Sequence, residues 1–271
     1  MAETIYLRDD LNTLCSDGDV FAFVRQLDGE VFRDKEGRRT LRFTANGKSY
    51  FLKHHQGVGW AEIVKNILQA RLPVVSARNE WQAIQALQQA GIDTMTLAGY
   101  GERGKDPANR ESFVITDDLT DTMSLEFVGE QWQQTPTTLH SKRLLIKKLA
   151  TISRKMHQAG INHRDYYLCH FLLDAAFAEH NIISDDTRLF LIDLHRAQIR
   201  RKVPVRWQIK DLGSLHFSAH ALKLSQRDLL RFIRIYTGVP LKVGLQREQR
   251  FWDKVSSRSD ALLTKWQKQH G

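Results

Sequence analysis

Three stretches of this sequence pair residue types that do chemistry with local patterns able to aim them. The first is Asn162-His163-Arg164-Asp165-Tyr166-Tyr167-Leu168-Cys169-His170, which follows a helical run closed by Gly160 and leads into the apolar Phe171-Leu172-Leu173. A carboxylate on a loop between a helix and a strand can take or orient a proton, because rigid elements fix its direction. The second is Asp193, at the end of the apolar Leu189-Phe190-Leu191-Ile192, where a carboxylate suits a divalent cation. The third is Lys53, the last residue of KSYFLK at 48–53, an ammonium placed to neutralise phosphate. Taken singly, each has an ordinary reading: a loop salt bridge, a strand-end cap, and a lysine with its head in water.

Their order along the chain narrows the chemistry. Protein kinases use H-R-D-x-x-x-x-N as a catalytic loop, a D-F-G aspartate on magnesium, and a strand lysine on the α- and β-phosphates held by a helix glutamate. Here Asp165 takes the catalytic position, and His170 stands where the metal-binding asparagine would be. Asp193 opens Asp-Leu-His rather than Asp-Phe-Gly. The partner of Lys53 is Glu80 by chain order, with Glu62 on the preceding helix as the alternative. Thr116, Asp117, Asp118 and Leu119 then fall where backbone would read adenine. No glycine-rich phosphate loop is present, since residues 28–33 offer only Gly29, and no Walker A pattern occurs.

The elements expected to carry these residues divide into two kinds. Short strands are predicted at 29–33, 40–44, 48–53 and 113–116, punctuated by glycine and charge. Helices are predicted at 60–71, stopping at Pro73, and at 76–90, capped by Ser76 and ended by Gly91. Leu145, Leu149, Ile152 and Met156 recur at helical spacing, and further helices are predicted at 210–221, 226–237 and 248–268. Two small strands, 171–173 and 189–192, interrupt the helical half. The fold class is therefore α+β, with a strand-rich lobe at 1–120 and a mainly helical lobe at 121–271.

Composition sets the outer limits. With 271 residues, 42% hydrophobic and 26% charged, the chain can bury a large core. Forty Lys+Arg against 31 Asp+Glu give +9, a field that concentrates anionic partners without naming one. Two cysteines, Cys15 and Cys169, form no disulfide framework or zinc spacing. The N-terminal stretch lacks the basic start and apolar run of a secretory signal, and no run of about 18 apolar residues exists. The expectation is a cytoplasmic chain. Basic residues are not interleaved with aromatic ones, so no nucleic-acid partner is expected.

The sequence resembles the lipopolysaccharide core heptose(I) kinases. The resemblance runs through Phe51-Leu52-Lys53-His54-His55, Gly57-Val58-Gly59-Trp60, Asn79-Glu80-Trp81, Asn162-His163-Arg164-Asp165, Cys169-His170-Phe171-Leu172-Leu173, Leu191-Ile192-Asp193-Leu194-His195-Arg196-Ala197 and Lys210-Asp211-Leu212. It implies a protein-kinase-like bilobal fold, ATP and Mg2+ as cosubstrates, and transfer of the γ-phosphoryl to a heptose hydroxyl of the inner core. It also implies Asp193 and His170 as metal ligands, His163 and Arg164 as supports of the loop, and Asp211 as its structural brace. The implied workplace is the cytoplasmic face of the inner membrane, in peripheral contact with anionic lipid and with an acidic carrier protein as a further partner. Rival readings are a kinase acting on a protein or another small molecule, a non-catalytic degenerate kinase fold, and an iron site built from His163, Asp165 and His170 or His195. The helical flanks of the loop argue against the iron site, because such sites favour β-sandwich strands.

Overall fold

The computed structural model describes residues 3–15, 18–35, 37–57, 59–68, 76–174 and 182–270, and the side chains of all of these except 62, 66, 67 and 221. The chain divides into two compact units. One holds Met1–Gln85, Met95–Thr120 and Leu194–Arg196; the other holds Ala86–Thr94, Asp121–Asp193 and Ala197–Gly271.

The first unit is built on an antiparallel sheet of β1 (Thr4–Leu7), β2 (Glu30–Lys35), β3 (Arg38–Ala45), β4 (Lys48–His55), β5 (Leu97–Arg103) and β6 (Glu111–Asp117), in the order β1-β5-β6-β4-β3-β2. Register follows the alternation of apolar side chains: Leu41 pairs with Leu52, Phe43 with Tyr50, and Leu52 with Ile115. These residues share one face and form the core with Phe21, Val24 and Phe113. Phe21 and Val24 come from helix α2 (Val20–Gln26), whose start is capped by Asp19, accepting the N–H groups of Phe21 and Ala22. Because side chains alternate along a strand, Lys53 leaves β4 on the face opposite Leu52.

The strands predicted at 29–33, 40–44, 48–53 and 113–116 are β2, β3, β4 and β6. β1, β5, α2 and the short helix α1 (Asp9–Asn12) were not anticipated. β5 contains Gly99 and Gly101, which weaken its strand signal, yet both are space requirements. A Cβ on Gly99 would press on the Leu7 side chain at 2.8 Å, and one on Gly101 on the Phe113 ring at 2.6 Å. Helix α3 (Gly59–Leu68) occupies the first predicted helix; its expected stop at Pro73 lies outside the described residues. α4 (Arg78–Gln89) is the second, and Ser76 accepts the Arg78 N–H at 3.0 Å while donating to Glu102.

The second unit is helical: α5 (Leu125–Gln134), α6 (Leu139–Gln158), α7 (Val205–Ser218), α8 (Gln226–Thr237) and α9 (Leu241–His270), the last broken at Glu248. α6 starts where Thr138 accepts the Ser141 N–H, and its buried stripe includes Leu145, Leu149 and Met156. α8 is closed by a capping box between Ser225 and Asp228 and ended by Gly238 at φ +68°. α7 begins five residues before the predicted 210, directly after Pro204, which sets the first turn. Short strands β7 (Thr122–Ser124), β9 (Phe171–Asp174) and β10 (Leu189–Leu191) form one small sheet; β8 (Ile161–Asn162) pairs with β11 (Gln198–Ile199). Among the described residues no helix is long and apolar enough to cross a membrane.

Candidate active site

In the sheet unit, Lys53 Nζ lies 2.7 Å from Glu80 Oε1. The Glu80 side chain is 2% exposed and that of Lys53 27% exposed, so a buried carboxylate pairs with a lysine side chain that reaches solvent. The side chain of the alternative partner, Glu62, is outside the described residues. Next to Lys53, His54 is buried against Glu111 at 3.0 Å, and burial holds its pKa down despite that carboxylate. His55 is pushed down to about 3 by burial, with Arg38 and Lys53 adding to the effect.

Of the four residues expected to read adenine, Thr116 and Asp117 end β6, and Asp118 and Leu119 follow it. Thr116 is buried in the sheet, paired with Phe51 and Leu97. The Asp117 N–H donates to Thr96 O at 2.9 Å, and its carboxylate accepts both terminal nitrogens of Arg8, at 2.6 and 2.9 Å. The Asp118 N–H donates to Ser49 O at 3.0 Å and its carboxylate accepts the Ser49 hydroxyl. Both aspartate side chains and both amides thus tie the end of the sheet; Leu119 follows directly in the chain.

In the helical unit, the loop after β8 is pinned from below. Asp211 on α7, fully buried, accepts the His163 N–H on Oδ2 at 2.9 Å and the Arg164 N–H on Oδ1 at 2.8 Å. His157 Nε2 stands 3.3 Å from the same Oδ2, and His157 Nδ1 meets the Tyr236 hydroxyl at 2.8 Å. His163 is itself buried. The Asp165 N–H points to its Nδ1 at 3.3 Å, so its Nε2–H donates to Ile192 O at 2.9 Å. Burial lowers its pKa, which keeps this neutral tautomer. One imidazole therefore links the loop to the segment that ends in Asp193.

His170 closes the turn. Its Nδ1 donates to Asp165 O at 2.7 Å, and its Nε2 faces Asp193 Oδ2 at 3.5 Å. Burial opposes charge on this ring, but Cys169, the Asp165 carbonyl and Asp193 outweigh it and raise the pKa to about 9. Asp193 and Arg164 are both non-glycine residues at positive φ, +60° and +77°. Left-handed backbone costs roughly 1–3 kcal/mol at a non-glycine residue, and such strain persists only where surrounding bonds over-determine it. Asp211 and His163 supply those bonds.

Sequence reasoning missed His157 and Tyr236. A histidine inside an amphipathic helix and a tyrosine in a later one carry no local signal of a shared carboxylate.

The helical unit holds a buried helix carboxylate that braces two loop amides, and a strand-end aspartate; the sheet unit holds a strand lysine paired with a helix glutamate; each set is a feature of protein-kinase-like phosphotransferases. Residues 22–236 match the lipopolysaccharide kinase (Kdo/WaaP) family, and the chain belongs to it. It is 48% identical over 264 residues to the lipopolysaccharide core heptose(I) kinase WaaP of Escherichia coli strain K12, covering 97% of this chain and 98% of that one. Identity to the enzyme of the same name from Pseudomonas aeruginosa is 44%, covering 97% of each chain. A solved structure of WaaP in complex with acyl carrier protein matches with a TM-score of 0.82 at 40% identity, covering 96% of this chain and 99% of that one.

Proposed function

We propose that this protein transfers the γ-phosphoryl group of ATP to a hydroxyl of the first heptose of the lipopolysaccharide inner core. The observation that carries the reading is the fixed presentation of Asp165: its two preceding amides bound to buried Asp211, and its own carbonyl bound by His170. That rigidity is what phosphoryl transfer demands, because positioning and charge neutralisation supply most of the catalysis.

Each residue has a distinct task. Asp165 accepts a hydrogen bond from the acceptor hydroxyl and takes its proton as the oxygen attacks phosphorus, with ADP as leaving group. Lys53, oriented by Glu80, neutralises phosphate oxygens of the nucleotide. Asp193 and His170 are the residues that would hold magnesium. Two donors 3.5 Å apart suit an ion that keeps several waters and shares its shell with substrate phosphates, and no larger cluster of metal-binding side chains occurs among the described residues. The ion, when bound, offsets the negative charge of the phosphates. His170 is oriented for that task because its Nδ1–H is committed to Asp165 O, leaving Nε2 toward Asp193; the Nε2 proton that the ring holds while paired with Asp193 would have to leave for the ion to bind there.

The acceptor is an amphiphile, so the working location in this reading is the inner face of the inner membrane, held peripherally by a +9 chain. An acidic acyl carrier protein is the partner we infer from the solved relative. An apolar cavity of about 190 Å³ among Ile146, Leu149, Phe232 and Trp252 offers room for part of an acyl chain. The deciding experiment is incubation of purified enzyme with radiolabelled ATP and heptosylated lipid A. Label on the heptose is expected; transfer to a protein or another small molecule instead would overturn the choice of acceptor.

A further inference from the structure

Between Asp193 and Asp211 the sequence places six Lys or Arg residues and no acid: Arg196, Arg200, Arg201, Lys202, Arg206 and Lys210. That stretch of 17 residues alone is +6, against +9 for the whole chain, so the field is concentrated rather than spread over a solvated surface. It is also fastened to the catalytic loop. β11 pairs with β8, so that Gln198 faces Asn162 and Ile199 faces Ile161. The Arg200 N–H donates to Gly160 O at 2.9 Å, and its guanidinium donates to Asn162 Oδ1. Gly160 permits this approach at φ +78°, since a Cβ there would strike Arg200 O.

Beyond this anchor, the first turns of α7 gather charge around one aromatic ring. Arg164 lies 5.1 Å, Lys210 5.4 Å and Arg206 5.5 Å from the centre of the Trp207 ring. Arg164 precedes Asp165 and is nearly buried, with its backbone fixed by Asp211, so the position of the cluster relative to Asp165 is built in. A ring quadrupole offsets only about 0.5–1 kcal/mol per exposed cation, and the charge of Arg206, on the solvent side, remains available.

We propose that Arg164, Arg206 and Lys210, arrayed on Trp207, form a subsite for an anionic group, phosphate or carboxylate, carried by the acceptor beside the hydroxyl that is phosphorylated. The proposal rests on the reading of the chain as a sugar phosphotransferase. In that reading the nucleotide phosphates are served by Lys53 and the magnesium that Asp193 would hold, whereas this cluster includes Arg164, the chain neighbour of Asp165, the residue that handles the acceptor. Guanidinium and ammonium groups bind such oxyanions by charge-assisted hydrogen bonds.

The test is the full-length double variant Arg206→Gln/Lys210→Gln, compared with the charge-preserving Arg206→Lys/Lys210→Arg. KM for the lipid acceptor is expected to rise at least about tenfold, the loss of one or two charge-assisted bonds, with KM for ATP unchanged and acceptor affinity restored in the charge-preserving variant. An unchanged acceptor KM, or a rise confined to ATP, overturns the proposal. So does loss of acyl carrier protein binding with acceptor KM intact, which would make the cluster a protein interface. Binding is read separately by tryptophan fluorescence of the nucleotide-free enzyme titrated with inorganic phosphate and with glucuronate, using Trp207→Phe as the blank. Response to phosphate identifies a phosphate subsite and response to glucuronate a carboxylate subsite; a response to neither overturns the proposal. If the lipid proves not to be the acceptor while the double variant still abolishes anion binding, the assigned acceptor fails and the subsite stands.

Discussion

Single side chains in this protein are asked for opposite things, and their burial shows which. In the proposed mechanism Asp165 must be rigid in backbone and reactive at its carboxylate. Asp165→Asn preserves shape and hydrogen-bonding capacity but removes the base, so kcat should fall by about 10²–10⁴ with KM for ATP retained. Steady-state kinetics on a variant with an unchanged melting curve checks this, and near-normal turnover would remove Asp165 from the chemistry. Lys53 differs because its partner is buried. Lys53→Met leaves the Glu80 carboxylate, 2% exposed, without the ammonium that pairs it. Breaking a buried pair from one side costs about 3–5 kcal/mol, and the lower end applies because Lys53 itself reaches water. This variant should therefore lose stability as well as nucleotide affinity. Adding Glu80→Leu should recover the stability but not the affinity, a split that denaturant melts and nucleotide titration separate.

At the level of elements, α6, α7 and α8 meet on one carboxylate. His157 of α6 and Tyr236 of α8 extend the Asp211 brace beyond the loop it holds: the Tyr236 hydroxyl bonds His157 Nδ1, and Nε2 faces Asp211 Oδ2. Tyr236→Phe removes only the outer hydroxyl. The His157 ring then loses the partner that fixes its tautomer and orientation, and Asp211 and the loop amides lose support. A fall in kcat of roughly tenfold is expected, the worth of about one hydrogen bond, with KM for both substrates unchanged; a change in KM alone would place Tyr236 at a binding surface instead. This layer was the least legible in the sequence. Period and caps gave α6, α8 and the central strands, and the residues 162–170 and 193 stood out by type and neighbours. β5 was hidden because Gly99 and Gly101 look like turn residues while serving as clearance for Leu7 and Phe113. His157 and Tyr236 were hidden because a hydrogen bond across 79 positions leaves no periodic trace. The short motifs were readable since loop, strand end and helix cap are local; the brace is tertiary.

For the molecule as a whole, resistance to acid depends on histidines that both units bury neutral. His54 and His55 lie in the sheet unit and His216 in the helical one. Burial lowers the pKa of each: Glu111 opposes the shift at His54, Arg38 and Lys53 deepen it at His55, and His220 deepens it at His216. An unfolded histidine titrates near 6.5. Between that pH and about 3 the unfolded chain binds a proton that folded His55 refuses. Its contribution is therefore fully present above pH of about 6.5 and is lost as the pH falls, at up to about 1.4 kcal/mol per pH unit. Depressed carboxylates such as Asp228 and Glu111 act in the same direction but only at more acid pH, near and below their ordinary range. Stability should thus fall between pH of about 6.5 and about 5, before carboxylates titrate, and His55→Gln should flatten that part of the curve by about one proton. Urea melts across this range measure the slope directly. A slope identical in the variant would mean that His55 is protonated in the folded protein and that another group carries the acid sensitivity.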